Sequence, residues 1–169
     1  MVDVRRERRG DEAAIAQVND EAFGQPDESR LIDTARKGGH AALSLVAVAG
    51  GRIVGHILFT PVTIESPGCA VTALGLGPMA VWPRLQRQGI GSTLAETGLR
   101  ECAGMGVQVV VVVGHPQFYP RFGFRPASAF GLRCEYAVPD EVFMATELTP
   151  GAMAGHGGLV RYLPEFGSA

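Results

Sequence analysis

The chain predicts an α/β (α+β) architecture, a mixed β-sheet flanked by helices on both faces, and three features carry that prediction. Two strand-like runs, Leu43 to Ala49 and Arg52 to Ile64, are separated only by Gly50-Gly51, which demands a tight antiparallel hairpin. Residues 69 to 113 read as strand, helix, strand, and a crossover of that length implies parallel pairing. The valine run Val109 to Val113 has no polar alternation, so it belongs to a strand covered on both faces.

The elements follow in order. Val2 to Arg6 alternates like an edge strand, and Asp11 to Phe23 is an amphipathic helix with Ala14, Ile15, Val18 and Ala22 on one face. After a loop at 24 to 27, Pro26-Asp27-Glu28 opens a second helix, since proline is tolerated in the first turn, and Gly38-Gly39 ends it. Ser66-Pro67-Gly68 repeats the hairpin device and completes a three-stranded meander whose third strand runs from Cys69 to Val81. A helix over Ser92 to Ala103 leads into the strand Val107 to Val113. Past Phe124 the pattern thins to a strand at Val142 to Leu148, a Gly-rich loop at 151 to 158, and a last edge strand over Gly157 to Tyr162.

Length and composition set bounds on function. The 169 residues suit one domain, 1 to 169, with about 150 to 169 as a Gly-rich C-terminal extension. With 46% hydrophobic residues and a net charge of -2, neither disorder nor a nucleic-acid scaffold is expected. Arg5, Arg6, Arg8 and Arg9 alternate with Glu7, Asp11 and Glu12 and read as a solvated strand end. No apolar stretch has the length of a signal peptide or a membrane span, so a cytoplasmic location and no membrane partner are expected. Cys69, Cys102 and Cys134 are odd in number and widely spaced, as reduced structural thiols are, and no metal site is expected.

The most informative segment is Gln86-Arg87-Gln88-Gly89-Ile90-Gly91, between the strand-like Gly77 to Val81 and the helix from Ser92. Its glycines let the backbone approach a ligand, and the helix start would aim free N–H groups at an anion, which predicts a pyrophosphate cradle. A Walker loop is excluded, because Ser92 follows Gly91 and the chain's only lysine is Lys37. Gly75-Leu76-Gly77-Pro78-Met79-Ala80 satisfies a dinucleotide pattern but runs into Val81-Trp82-Pro83, where that fold needs a helix, and is read as a decoy.

Gln86, Gly89 and Gly91 also fit the acetyl-CoA loop of the GNAT N-acetyltransferase superfamily, which this chain resembles. The loop alone also fits an ordinary tight turn. Around it stand the Val81-Trp82-Pro83 strand end, the following helix and strand, and Tyr119-Pro120-Arg121-Phe122-Gly123-Phe124, in the family's order and spacing. The segment from Gly114 to Ala127 is similar to the uncharacterised bacterial YhbS-type predicted acetyltransferases.

The resemblance implies a sheet splayed at its centre and acetyl-CoA as acyl donor. Backbone from Arg87, Gln88, Gly89, Ile90, Gly91 and Ser92 would hold the pyrophosphate, with Gln86 in the same loop and Arg84 and Arg87 in support. A bulge near Gly75, Gly77 and Pro78 would free N–H groups at Met79, Ala80 and Val81 for the pantetheine arm; the alternative is a merely twisted strand. Tyr119 stands where the family carries the acid for the leaving thiolate, or else belongs to an aromatic plug with Phe118, Phe122 and Phe124. No carboxylate lies in residues 71 to 81, so His115 is the candidate base, His56 reads as a satisfied sheet histidine, and Glu28 is a candidate lining of the acceptor pocket.

The function implied is acetyl transfer to a primary amine of a small molecule or peptide, by direct attack. A non-catalytic acyl-CoA-binding module is the alternative. Nucleic acid is not expected as a partner, and oligomeric state is left open, a homodimer being one option.

Overall fold

The computed structural model describes residues 1–168. Strand β1 (Asp3–Arg6) precedes helices α1 (Glu12–Phe23) and α2 (Asp27–Lys37), followed by strands β2 (Leu43–Ala49), β3 (Arg52–Glu65) and β4 (Ala73–Val81). Helix α3 (Ile90–Gly104) then crosses to β5 (Val109–Val113), and β6 (Arg125–Pro126), β7 (Leu132–Cys134), β8 (Phe143–Glu147) and β9 (Gly158–Arg161) complete the order. The main sheet runs β1-β2-β3-β4-β5-β8-β6. Its only parallel pair is β4 with β5, as the crossover length predicts. The remaining two strands form a ribbon on the far end of β3, with β9 between β3 and β7, so the strand expected over Gly157 to Tyr162 is internal to the ribbon.

Local chemistry explains the boundaries. Helix α3 starts at Ile90, two residues before the expected Ser92, because Gly89 at φ 87° turns the chain directly into it. Strand β4 begins at Ala73 rather than Cys69, since the Cys69 N–H is committed to the Ser66 carbonyl in the preceding turn. Strands β6 and β7 carry no sequence signal, being too short for a period to show.

Alternation in β5 supplies two cores. Val110 and Val112 face the α3 side, where Leu94 and Leu99 pack with Leu45, Ile57 and Phe59. Val109 and Val111 face the other side with Val62, Ile64 and Phe143. On that second face α1 and α2 bury Ile15 and Ile32 against Val46 and Leu58. Each such side chain contributes about 1.5–3 kcal/mol when fully buried. Gly98 lets α3 approach closely, because a Cβ there would meet the Phe59 ring at 2.6 Å. Thr60 lies on β3 between Leu58 and Val62, buried in the floor of a cleft between the α1–α2 pair and the C-terminal ribbon.

His56 is the satisfied sheet histidine expected. Asn19 Nδ2 is 3.4 Å from its Nδ1, Ser44 Oγ is 2.9 Å from its Nε2, and the Ser44 hydroxyl donates to Glu7 at 2.6 Å. That chain has one consistent reading: Nδ1 accepts, Nε2–H donates to Ser44, and the ring is neutral. Burial lowers the His56 pKa to about 4. No helix among the described residues is long and apolar enough to cross a membrane.

Candidate active site

Parallel pairing of β4 with β5 ends at Leu76 and Val112, while β4 continues to Val81 along β3. The sheet therefore opens between its two central strands. The cause is a bulge in β4. From Ile57 to Phe59 strand β3 advances two residues, whereas from Met79 to Leu76 strand β4 spends three, and the extra residue falls at Gly77-Pro78, whose peptide is cis. The bulge expected from Gly77 and Pro78 is thus present.

Backbone alternation decides which groups face the gap. The Trp82 N–H donates to the Val54 carbonyl at 2.9 Å, so alternate residues of this antiparallel stretch turn their backbone groups toward β3. Ala80 is on that side, opposite His56. Met79 and Val81 turn theirs toward the gap, where the Val81 carbonyl accepts from Gln86 Nε2 at 3.1 Å.

The gap widens into a cleft of about 1130 Å³ that reaches the start of α3. Gly89 caps that helix without a side-chain bond, and the N–H groups of Ile90, Gly91 and Ser92 have no acceptor among the described residues. The positive helix end and these free donors make an anion site. Arg87 holds a left-handed φ of 63°, and Gln88 donates from Nε2 to the Arg84 carbonyl at 3.4 Å, so the loop is shaped before any ligand arrives. Of the sequence-predicted cofactor residues, Met79, Val81, Gln86, Arg87, Gly89, Gly91 and Ser92 line the cleft. Ala80, Gln88 and Ile90 do not, and the Ile90 side chain is buried in the core.

Arg121, which carried no signal of its own in the sequence, also lines the cleft. Its guanidinium lies 4.9 Å from the Phe118 ring centroid, and Phe118 in turn flanks Gly91, where a Cβ would sit 3.7 Å from its ring. Arg84 is exposed and off the cleft.

Tyr119 opens the 3-10 turn after β5, packed edge-on to Phe118 at 5.0 Å and Phe124 at 5.6 Å. The plug and the cleft-facing position therefore coexist: the ring is in the plug, 7% exposed, yet lines the cleft. Its hydroxyl has no hydrogen-bond partner among the described residues, and burial pushes its pKa up to about 12. His115 is exposed on the same rim, and its carbonyl accepts from the Phe118 N–H at 3.1 Å. Val113 is 44% exposed despite ending the most apolar strand, because β4 has already left it.

The far end of the cleft is built from four separate segments. Phe23 ends α1, Glu28 and Leu31 share a face of α2, and Tyr136 and Tyr162 come from the C-terminal part, stacked with centroids 5.8 Å apart. Glu28 is therefore on the cleft, as the sequence allowed. No group of three or more His, Cys, Asp or Glu is placed to hold a metal among the described residues.

Comparison with known proteins agrees with this geometry. A family model described as "Acetyltransferase (GNAT) domain" matches residues 3–127. The chain is 37% identical over 156 residues to the uncharacterized N-acetyltransferase YjhQ of Escherichia coli, covering 88% of this chain and 86% of that one. It is 32% identical over 146 residues to the uncharacterized N-acetyltransferase YhbS of the same organism, covering 86% of each. A crystal structure of E. coli YhbS in complex with CoA superposes with a TM-score of 0.93 at 30% identity, over 98% of this chain and 92% of that one. A GNAT acetyltransferase from Brucella melitensis in complex with acetyl-CoA matches at 0.79 and 31%, over 98% of each.

Proposed function

The chain belongs to the GNAT acetyltransferase family, and we propose that, acting as a single domain, it moves an acetyl group from acetyl-CoA to a primary amine by direct attack. The observation that carries the proposal is the continuity of three features in one cleft: an uncapped helix start, free backbone on a bulged strand, and a buried phenol. These suit in turn a pyrophosphate, an amide-bearing arm and a departing thiolate.

Ile90, Gly91 and Ser92 hold the pyrophosphate through their N–H groups, with Arg87 and Arg121 as the nearby cations. Met79 and Val81 offer backbone groups to the arm, and Gln86 fixes the Val81 carbonyl. Bound acetyl-CoA supplies the thioester whose carbonyl carbon bonds to the amine nitrogen as the C–S bond breaks. Tyr119 holds its proton at Oη and gives it to the sulfur, then recovers one from solvent as the amine releases its own. A phenol at about 12 is a weak acid toward an ordinary thiol near 8.5, but burial raises a thiol as well. In this chain burial pushes the Cys102 thiol up to about 12. A CoA thiol desolvated in the cleft is shifted in the same direction, which narrows the gap to Tyr119. His115, which is exposed on the rim, takes the amine proton directly or through water.

The non-catalytic alternative finds no support in the relatives, which are named as N-acetyltransferases. The test is thermal stabilisation by acetyl-CoA, CoA, NAD and ATP in parallel, since a ligand at a hundred times its Kd adds about 2.7 kcal/mol. Stabilisation by acetyl-CoA and CoA alone is expected. No shift with either at saturation would overturn the proposal.

A further inference from the structure

Resting on that acetyltransferase reading, we propose that the acceptor is an arylalkylamine: Glu28 takes its ammonium and the Tyr136–Tyr162 ring pair takes its flat apolar body. Charge at the far end of the cleft is the first ground. Among the described residues Glu28 is the only carboxylate lining the cleft, whose two guanidiniums, Arg87 and Arg121, belong to the cradle end. Its carboxylate is bonded to the Gln25 amide at 3.2 and 3.5 Å, and none of the ion pairs among the described residues includes it. A single acid without a cation selects a single positive head. An amino acid would bring a carboxylate toward Glu28 with no cation to receive it, and a polyamine would press its further charges against apolar rings.

The shape of the wall is the second ground. Tyr136 and Tyr162 lie at 25° to one another, and Phe166 continues the row at 33° and 6.5 Å from Tyr162. The rings stack along the row and make an all-aromatic wall, which an aryl guest can extend by edge-to-face or offset contact and a puckered ring of equal carbon count cannot. Gly75 seats this row against β4, because a Cβ there would meet Tyr162 Cε1 at 3.1 Å. Gly75 lies two residues before Gly77, so the wall adjoins the bulge that opens the sheet. The Tyr162 hydroxyl is buried without a hydrogen-bond partner among the described residues, a polar atom in this wall that the protein leaves unpaired.

The experiment measures CoA release by the full chain at saturating acetyl-CoA, with product mass confirmed, for five amines. These are 2-phenylethylamine, 2-cyclohexylethylamine, phenylalanine, spermidine and a short peptide with a free N-terminus. Phenylethylamine is expected to show at least tenfold higher kcat/KM than each of the others. Glu28→Gln should raise its KM at least tenfold while leaving the Kd of acetyl-CoA unchanged. Tyr136→Leu should narrow the ratio of phenyl to cyclohexyl substrate. A protein stabilised by acetyl-CoA that fails to turn over phenylethylamine, prefers the peptide, or ignores Glu28→Gln overturns the acceptor class alone. A protein that acetyl-CoA does not stabilise overturns the acetyltransferase reading and this inference with it.

Discussion

The ring of Tyr119 occupies the space that a side chain on Gly114 would need: a Cβ built there would meet Cδ2 at 3.0 Å and Cε2 closer still. A glycine just after β5 is thus what lets the phenol lie across the strand end and reach the cleft. Tyr119→Phe keeps the ring and removes the proton, so turnover should fall about a hundredfold or more while the Kd of acetyl-CoA changes little. Gly114→Ala should lower turnover comparably by displacing a ring that is chemically intact. Steady-state kinetics with parallel calorimetry separates the two effects, and unchanged turnover in Tyr119→Phe would remove it as the acid. With its pKa near 12, Tyr119 stays protonated at physiological pH and should add no basic limb to the rate profile below about pH 11.

Gly89 tests the cradle through conformation rather than space. Its φ is 87° and nothing lies within 4 Å of the point a methyl would occupy, so Gly89→Ala has room but must hold a left-handed backbone, costing about 1–2 kcal/mol. That predicts roughly tenfold weaker acetyl-CoA binding with a small loss of stability. Gly89→Glu adds an anion beside the free N–H groups and should abolish binding. Titration calorimetry reads both, and wild-type affinity in Gly89→Glu would move the pyrophosphate elsewhere.

His115 predicts a loss that depends on pH. A base matters only while the amine is protonated, so His115→Gln should slow acetyl transfer about tenfold at pH 7, and the deficit should close as pH approaches the amine's own pKa. A deficit that stays constant across pH would assign His115 a positioning role instead.

Sequence made the cradle end legible because its signals are local. Gly89 encodes a backbone turn and a helix start within a few residues, and Tyr119 lies in a short aromatic segment beside β5. Other assignments needed the ladder itself: that Met79 and Val81 face the gap while Ala80 faces His56 depends on pairing register, which no single strand reveals. The far end of the cleft was least legible. Phe23 and Glu28 are far in the chain from Tyr136 and Tyr162, and the two sets share one cleft because the C-terminal ribbon pairs alongside the far end of β3. Arg121 lies two residues from Tyr119 in the same motif, but its stacking on Phe118 is a tertiary fact that spacing does not encode.

His56 predicts how stability varies with acid. The folded ring titrates near 4 against about 6.5 when unfolded, so between those values the unfolded chain binds a proton that the folded one refuses. Stability should therefore be complete above pH 6.5 and fall as pH drops toward 4, by up to about 3 kcal/mol. The groups facing the ring work in a different window. Burial raises Glu7, but hydrogen bonds from Arg36 and Ser44 outweigh it and hold the carboxylate below 4.5, so its contribution is lost only at lower pH. Arg36 pairs with Glu7 at 2.8 Å and stays charged throughout. Asn19 and Ser44 do not titrate. Urea denaturation at pH 7.5, 5.5 and 4.5 should show the decline in wild type. His56→Gln, less stable at pH 7.5 but unable to titrate, should be flatter over the same interval. An equal slope in both proteins would place the acid sensitivity outside the His56 cluster.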